Sequence, residues 1–151
     1  MKAFRREAFA FLGAIRFFTR IPISDRVLHS AEGLNYSARY FPAVGILVGS
    51  ISALAFALAG LFVPETVSIV IAMATSIYLT GAFHEDGLSD MTDGLGGGWE
   101  KMRILEIMKD SRVGSYGVVA LTMALLSKFV LLSAFKHTWT ISINEIRVDK
   151  E

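Results

Sequence analysis

The feature that most constrains this chain is an uncharged stretch of 21 residues, 43–63. A helix of that length, at 1.5 Å per residue, matches the roughly 30 Å hydrocarbon core of a bilayer. Residues 66–83 form a second uncharged stretch, and residues 113–135 form a third apolar stretch whose one charge is Lys128. The sequence therefore predicts three transmembrane helices in an all-α, polytopic integral membrane helical bundle.

The composition narrows the classes of function. Apolar residues make up 53% of the chain, which excludes intrinsic disorder. Fifteen Lys and Arg against fourteen Asp and Glu leave no basic excess, so no nucleic-acid partner is expected. There is no cysteine, so a disulfide scaffold and thiolate chemistry are excluded and a metal must bind through oxygen or histidine.

The N-terminal region is basic and predicts the orientation of the chain. Residues 8–18 are rich in Phe but flanked by arginines and interrupted by Arg16, which is typical of an interfacial helix, and Pro22 is expected to end it. Residues 25–39 are predicted to be a polar connection. Residues 1–42 hold seven basic side chains against three acidic ones, so this segment, and residues 84–112 two spans later, are predicted on the cytoplasmic side of the cell (inner) membrane.

An acidic cluster follows the second span. It consists of Glu85, Asp86, Asp90 and Asp93. On a continuous helix the three aspartates would share one face, within about 60°. Carboxylates crowded at a membrane boundary need a counter-charge, and hard oxygen ligands favour Mg²⁺, with Mn²⁺ as the second choice. The alternative is a solvated acidic loop.

Glycines follow the acids, at Gly94 and at 96–98. Bare backbone of this kind would let a phosphate approach closely, with Gly96 and Gly97 as the candidate contacts, but a flexible lid or hinge explains the glycines equally well. The run does not complete a dinucleotide-binding motif, because Trp99 takes the place of the last glycine. Residues 99–109 beyond it have the apolar pattern of a surface helix.

A second polar group precedes the third span: Lys109, Asp110, Ser111 and Arg112. Two cations beside an acid can clamp a phosphate, with Asp110 as a further metal ligand. A boundary of charged side chains that reach for the membrane surface is the alternative.

Four segments together resemble one family. RFFTRIPI, RYFPAVGILVGSI, TGAFHEDGLSDMTDGLGGG and RILEIMKDSRVGSYGVVAL occur in the order of the cobalamin synthase family, the adenosylcobinamide-GDP ribazoletransferases. The resemblance implies a Mg²⁺-dependent membrane transferase of cobalamin (vitamin B12) biosynthesis. It would join adenosylcobinamide-GDP to α-ribazole or its 5′-phosphate and release GMP.

The resemblance also implies roles for the residues. The acidic motif falls on Glu85, Asp86, Asp90 and Asp93 and the second polar motif on residues 109–112, so metal would be held by these acids with Asp110, and substrate by Lys109, Ser111 and Arg112. One of the aspartates would accept the hydroxyl proton, and which one is left open. His84 is a candidate base or substrate contact, against an interfacial hydrogen bond as the alternative. Homo-oligomerisation is also left open.

The C-terminal part departs from the family. The membrane domain is assigned to residues 1–135, and residues 136–151 are predicted to be an atypical polar tail where family members continue with further helices. On that basis the chain is expected to be truncated and inactive by itself. The alternatives are a CDP-alcohol phosphatidyltransferase-like membrane enzyme and a non-enzymatic cation-binding or channel subunit.

Overall fold

A computed structural model describes the backbone of residues 2–24 and 31–148 and the side chains of residues 4–24 and 33–135. Within these ranges the chain forms α-helices and contains no strand, which confirms the all-α prediction. The helices are α1 (Lys2–Phe18), α2 (Ala31–Ser37), α3 (Phe41–Ala59), α4 (Glu65–Thr80), α5 (Phe83–Gly97), α6 (Lys101–Ile107) and α7 (Ser115–Val148). A 3₁₀ turn, Ala38–Tyr40, joins α2 to α3.

Two described stretches are long and apolar enough to cross a membrane. They are Gly33–Ala59, which includes α3, and Ser115–Phe135, the first part of α7, each with a mean hydropathy of 2.1. Only 6% of the first apolar window and none of the second is buried inside the protein, so their apolar side chains face outward. The first and third predicted spans are confirmed as spanning candidates.

The second predicted span is shorter than expected. Helix α4 has 16 residues and ends in a Schellman turn, in which the Ala82 N–H donates to the carbonyl oxygen of Ile77 at 2.9 Å. Gly81 and Ala82 both have positive φ, 66° and 60°, and α5 then continues at an angle of 83° to α4. The two helices therefore count as one further candidate span only when taken together.

The chain folds as two compact units, Met1–Val63 with Ile71–Phe83 and Pro64–Val70 with His84–Glu151. In the first unit, α1 and α3 bury Ala14, Ile15 and Val44. The rings of Phe17, Phe18, Phe41 and Phe83 lie 4.6 to 6.1 Å apart in stacked and edge-to-face pairs beside this core. Helix α1 ends at Phe18, before Pro22, as predicted, although it begins at Lys2 rather than near residue 8.

The polar connection predicted at 25–39 is wrong over its second half, which forms α2 and the 3₁₀ turn; residues 25–30 lie outside the described residues. Contacts with α1 stabilise α2, because the hydroxyls of Tyr36 and Tyr40 both donate to the Glu7 carboxylate. The Tyr36 ring also lies against the guanidinium groups of Arg6 and Arg39. The hydrogen bond from Tyr36 is the main cause of a lowered pKa at Glu7.

The second unit contains the start of α4, residues 65–70, together with α5 from His84 onward, α6 and α7. The surface helix predicted at 99–109 is α6, which is shorter at both ends. Helix α7 begins at Ser115 and continues without a break past residue 135, since the sequence has neither Gly nor Pro after Gly117. The predicted tail therefore starts inside a helix, and its side chains from residue 136 onward lie outside the described residues.

Candidate functional site

The acidic stretch forms one continuous helix, α5, so the solvated-loop alternative is wrong. Asp86, Asp90 and Asp93 occupy positions i, i+4 and i+7 and share a side of the helix as predicted. Their surroundings differ, because Asp86 is exposed, Asp90 is half-buried and Asp93 is only 8% exposed. Burial therefore distinguishes Asp93 from Asp86 and Asp90, although all three lie on one side of the helix.

Asp93 is buried because its carboxylate binds the backbone at the start of α7. The N–H of Gly114 donates to Oδ2 at 2.7 Å, and the N–H of Gly117 donates to Oδ1 at 2.9 Å. Both glycines leave room for this approach, since a Cβ on either one would overlap the Asp93 carboxylate. Sequence reasoning missed this contact. The signal for it was the pair of glycines at the N-terminal end of an apolar helix.

The glycines of α5 also serve close packing. A Cβ on Gly94 would lie 2.7 Å from the Met108 side chain, and a Cβ on Gly96 would lie 2.5 to 2.9 Å from the Tyr116 ring. Gly97 differs, because it lines a cavity. Of the two glycines predicted to contact a phosphate, Gly97 lies at a candidate site, while Gly96 is exposed outside the cavity lining and packs against the Tyr116 ring.

The cavity has a volume of about 320 Å³ and is lined by α5, α6, the loop after α6 and the start of α7. Its charged lining combines two acids from the predicted motifs, an arginine from the second motif, and a pair from α6 that sequence reasoning missed. The lining residues are Asp93, Gly97, Arg103, Glu106, Ile107, Asp110, Arg112, Gly114, Ser115 and Tyr116. A cavity of this size with convergent charged side chains is a candidate ligand site in the described second unit.

Arg112 and Asp110 form a forked ion pair at this cavity. The guanidinium Nε donates to both carboxylate oxygens at 3.0 and 3.1 Å, and Nη2 donates to Oδ2 at 2.6 Å. The side chain of Arg112 is 86% exposed. These bonds, with a further one from the Arg112 backbone N–H, lower the pKa of Asp110 to about 2.

The lowered pKa predicts that Asp110 does not titrate between pH 5 and 8. A depressed pKa means that the pair stabilises the fold above the carboxyl group's ordinary pKa and loses that effect as the pH falls toward 2. In a carboxyl-carbon NMR titration carried below this range, the Asp110 signal, assigned with Asp110→Asn, should reach its midpoint only at a pH of about 2. Arg112→Ala should return its midpoint toward an ordinary aspartate value of about 3.9. A wild-type midpoint above about 4 would contradict the pairing.

The remaining predicted residues lie outside the cavity lining. His84, Asp86, Lys109 and Ser111 are exposed. Glu85 is half-buried, and its Oε2 atom and the hydroxyl of Ser89 are buried without a hydrogen-bond partner among the described residues. Ser89 is a residue that sequence reasoning missed, and it lies beside Asp93 against Gly117.

The predicted metal ligands are not brought together as one set. In the described part of the chain, no three His, Asp or Glu side chains converge closely enough to hold a metal ion. Asp86 and Asp90 remain as a pair four residues apart, with no ion pair to other described residues. Such a pair fits Mg²⁺, which proteins often hold through one or two carboxylates together with the phosphates of a substrate.

Comparison with known proteins identifies the family. The family model described as cobalamin-5-phosphate synthase matches residues 10–146. The chain belongs to the cobalamin-5-phosphate synthase family. The resemblance carried by the four sequence segments is thereby confirmed, and the match runs past residue 135 into the predicted tail.

Curated relatives of this synthase family share its sequence at high identity. A protein of Shewanella amazonensis is 56% identical over 133 residues, which cover 88% of this chain and 51% of the relative. A protein of Vibrio parahaemolyticus is 52% identical over 127 residues, covering 84% of this chain and 48% of the relative. Both are named adenosylcobinamide-GDP ribazoletransferase. The chain spans about half the length of these relatives, and no solved structure matches it.

Proposed function

We propose that the protein to which this chain belongs transfers the adenosylcobinamide phosphoryl group from adenosylcobinamide-GDP to α-ribazole or its 5′-phosphate. The products are GMP and adenosylcobalamin or its 5′-phosphate. The observation that carries the proposal is the 56% identity to a relative of that name over 88% of this chain. The phosphatidyltransferase and channel alternatives are not favoured, since the curated relatives carry the name of a different transferase.

The reaction needs stabilisation of phosphate charge more than covalent chemistry. A ribose hydroxyl oxygen of the acceptor bonds to the phosphorus on the cobinamide arm, the bond from that phosphorus to the GMP oxygen breaks, and the hydroxyl proton passes to a base. Arg112 suits the charge on the pyrophosphate, because a guanidinium recognises phosphate through several N–H groups. Asp110 is a poor base, since its pKa of about 2 leaves it little affinity for a proton.

Magnesium is part of the proposal. Asp86 and Asp90 would hold the ion together with substrate phosphates, and the ion would neutralise charge on the pyrophosphate. Lys109 and Ser111 lie in the loop that carries Arg112 and would contribute further phosphate contacts. His84 and Glu85 precede the aspartate pair on α5 and stay candidates for the base and for a metal ligand.

A chimera tests the proposed function. This chain replaces the matched 133 residues of the Shewanella amazonensis relative, and the purified chimera is given Mg²⁺, adenosylcobinamide-GDP and α-ribazole or its 5′-phosphate. We expect GMP and a cobalamin product in equal amounts. GMP without a cobalamin product, or no product where the intact relative turns over, would contradict the proposal. The same assay on the chain alone measures what it does unaided.

The active site is proposed on the cytoplasmic side of the inner membrane, from the charge bias of residues 1–42. The chain has no cysteine, so single cysteines report topology directly. Trp99, which is 100% exposed after α5, and Phe62, 85% exposed between α3 and α4, form a matched pair. An impermeant maleimide added to intact cells should label Phe62→Cys and leave Trp99→Cys unlabelled until the cells are opened. The reverse pattern would overturn the orientation.

A further inference from the structure

The carboxylate of Asp93 takes the place of a capping side chain for α7. The first N–H groups of a helix lack partners within the helix, and the residue before the helix usually supplies an oxygen. Here that residue is Gly114, which has no side chain. Asp93, 21 residues earlier on α5, accepts hydrogen bonds from the N–H groups of Gly114 and Gly117, one on each oxygen.

The same contact makes Asp93 a poor place for a cation. A metal ion at either oxygen would lie beside two backbone N–H groups and the positive end of the α7 dipole, both of which repel it. The residue is 8% exposed, and no three metal-ligating side chains converge on it among the described residues. Its burial and its two short bonds instead suit a fixed anchor.

We infer that Asp93 is a positioning residue, which fixes the start of α7 at the cavity, and is not a ligand of the divalent metal. Gly114, Ser115 and Tyr116 line the cavity beside Asp93, and Arg112 lies two residues before Gly114. The carboxylate therefore holds the backbone that carries one wall of the cavity. Gly117 is required as glycine, because a Cβ there would displace the carboxylate from its partners.

Hydrogen exchange and metal binding test this inference on the 151-residue chain without any assay of turnover. Asp93→Asn removes an acceptor at nearly constant volume, and Gly117→Ala displaces the carboxylate while leaving it in the chain. Gly87→Ala is the matched control, because Gly87 also lies on α5 and an added Cβ there would meet open space. We expect exchange of the backbone amides at positions 114 and 117 to rise at least tenfold in the first two variants and to stay unchanged in the control.

Binding of Mn²⁺, followed by its EPR signal, separates an anchor from a ligand. The dissociation constant should stay within twofold of the wild type in both Asp93→Asn and Gly117→Ala. The contrary result would be weaker Mn²⁺ binding in Asp93→Asn without a change in its amide exchange, together with wild-type Mn²⁺ binding in Gly117→Ala. That result would assign Asp93 to the metal and overturn the inference. Unchanged exchange in both variants would overturn it as well.

One further measurement rests on the proposed function. In the chimera, Asp93→Asn and Gly117→Ala should each raise the KM for adenosylcobinamide-GDP at least fivefold and leave the Mg²⁺ requirement unchanged. The double variant should show no larger effect than either single variant, because both substitutions disturb the same contact. A raised Mg²⁺ requirement, or fully additive effects, would contradict the positioning role. If the chimera has no activity, the exchange and Mn²⁺ results still decide the inference.

Discussion

Arg112→Ala is expected to lower kcat/KM for adenosylcobinamide-GDP in the chimera by about 100-fold, the loss typical of removing one preorganised donor to a developing oxyanion. Arg112 is part of the cavity lining, and its side chain is 86% exposed. A phosphate entering the cavity can therefore reach the guanidinium without moving other side chains. The initial rate of GMP release, measured at several concentrations of adenosylcobinamide-GDP, gives the effect.

Asp110 prepares Arg112 for this contact. The forked pair uses Nε and Nη2 and fixes the plane of the guanidinium, yet leaves the two N–H groups of Nη1 without a described acceptor. The pair stays ionised at neutral pH, because the pKa of Asp110 is about 2. The orientation of Arg112 is thus set before substrate arrives, which reduces the entropy lost on binding.

Two variants separate orientation from charge. Arg112→Lys keeps the charge and loses the planar fork, so we expect about a tenfold loss, between the wild type and the alanine variant. Lys101→Ala removes an exposed cation of α6 that does not line the cavity, and it should change kcat/KM less than twofold. Equal losses in all three variants would mean that only the net charge of this surface matters, and no loss in Arg112→Ala would remove it from the site.

The two membrane-spanning helices that follow from the length and hydropathy of apolar stretches were predictable. A chain within lipid has to satisfy its backbone polar groups internally, which a helix does. Residues 43–59 of the first predicted span and 115–135 of the third proved helical and outward-facing, while residues 60–63 and 113–114 lie outside the helices. Helix α2 was not predictable, because its stability depends on Tyr36 reaching Glu7, 29 residues earlier. The end of α4 at Thr80 was missed for a similar reason: a single glycine in an apolar stretch does not show that it will adopt a positive φ.

The candidate site was predictable in its parts but not in its connections. The acidic and second polar motifs stand out by charge, and Asp110 and Arg112 do lie together at a cavity. The role of Asp93 could not be foreseen, because its partners are backbone N–H groups, which any residue has, 21 and 24 residues away. Charge alone grouped Asp93 with Asp86 and Asp90, and burial separates it from them.

The second large effect is expected at these two remaining aspartates. Asp86→Asn and Asp90→Asn should each lower turnover of the chimera by about tenfold or more and raise the Mg²⁺ concentration needed for half-maximal activity. Each substitution removes a charge at constant size. Glu100→Gln, an exposed acid just before α6 that makes no side-chain capping bond, is the matched control and should behave as the wild type. Wild-type activity in both aspartate variants would refute the metal assignment.

Thermal unfolding of the same variants shows whether the loss is functional or structural. Like charges four residues apart destabilise a helix by about 0.2–0.5 kcal/mol, so removing either one should leave α5 as stable as before or slightly more stable. Lower turnover together with an unchanged or higher Tm therefore marks carboxylates kept for a ligand at a cost to the helix. Asp93→Asn should do the opposite and lower Tm, because its side chain keeps only one acceptor oxygen for the backbone N–H groups of Gly114 and Gly117. This opposite sign distinguishes the two roles within one helix.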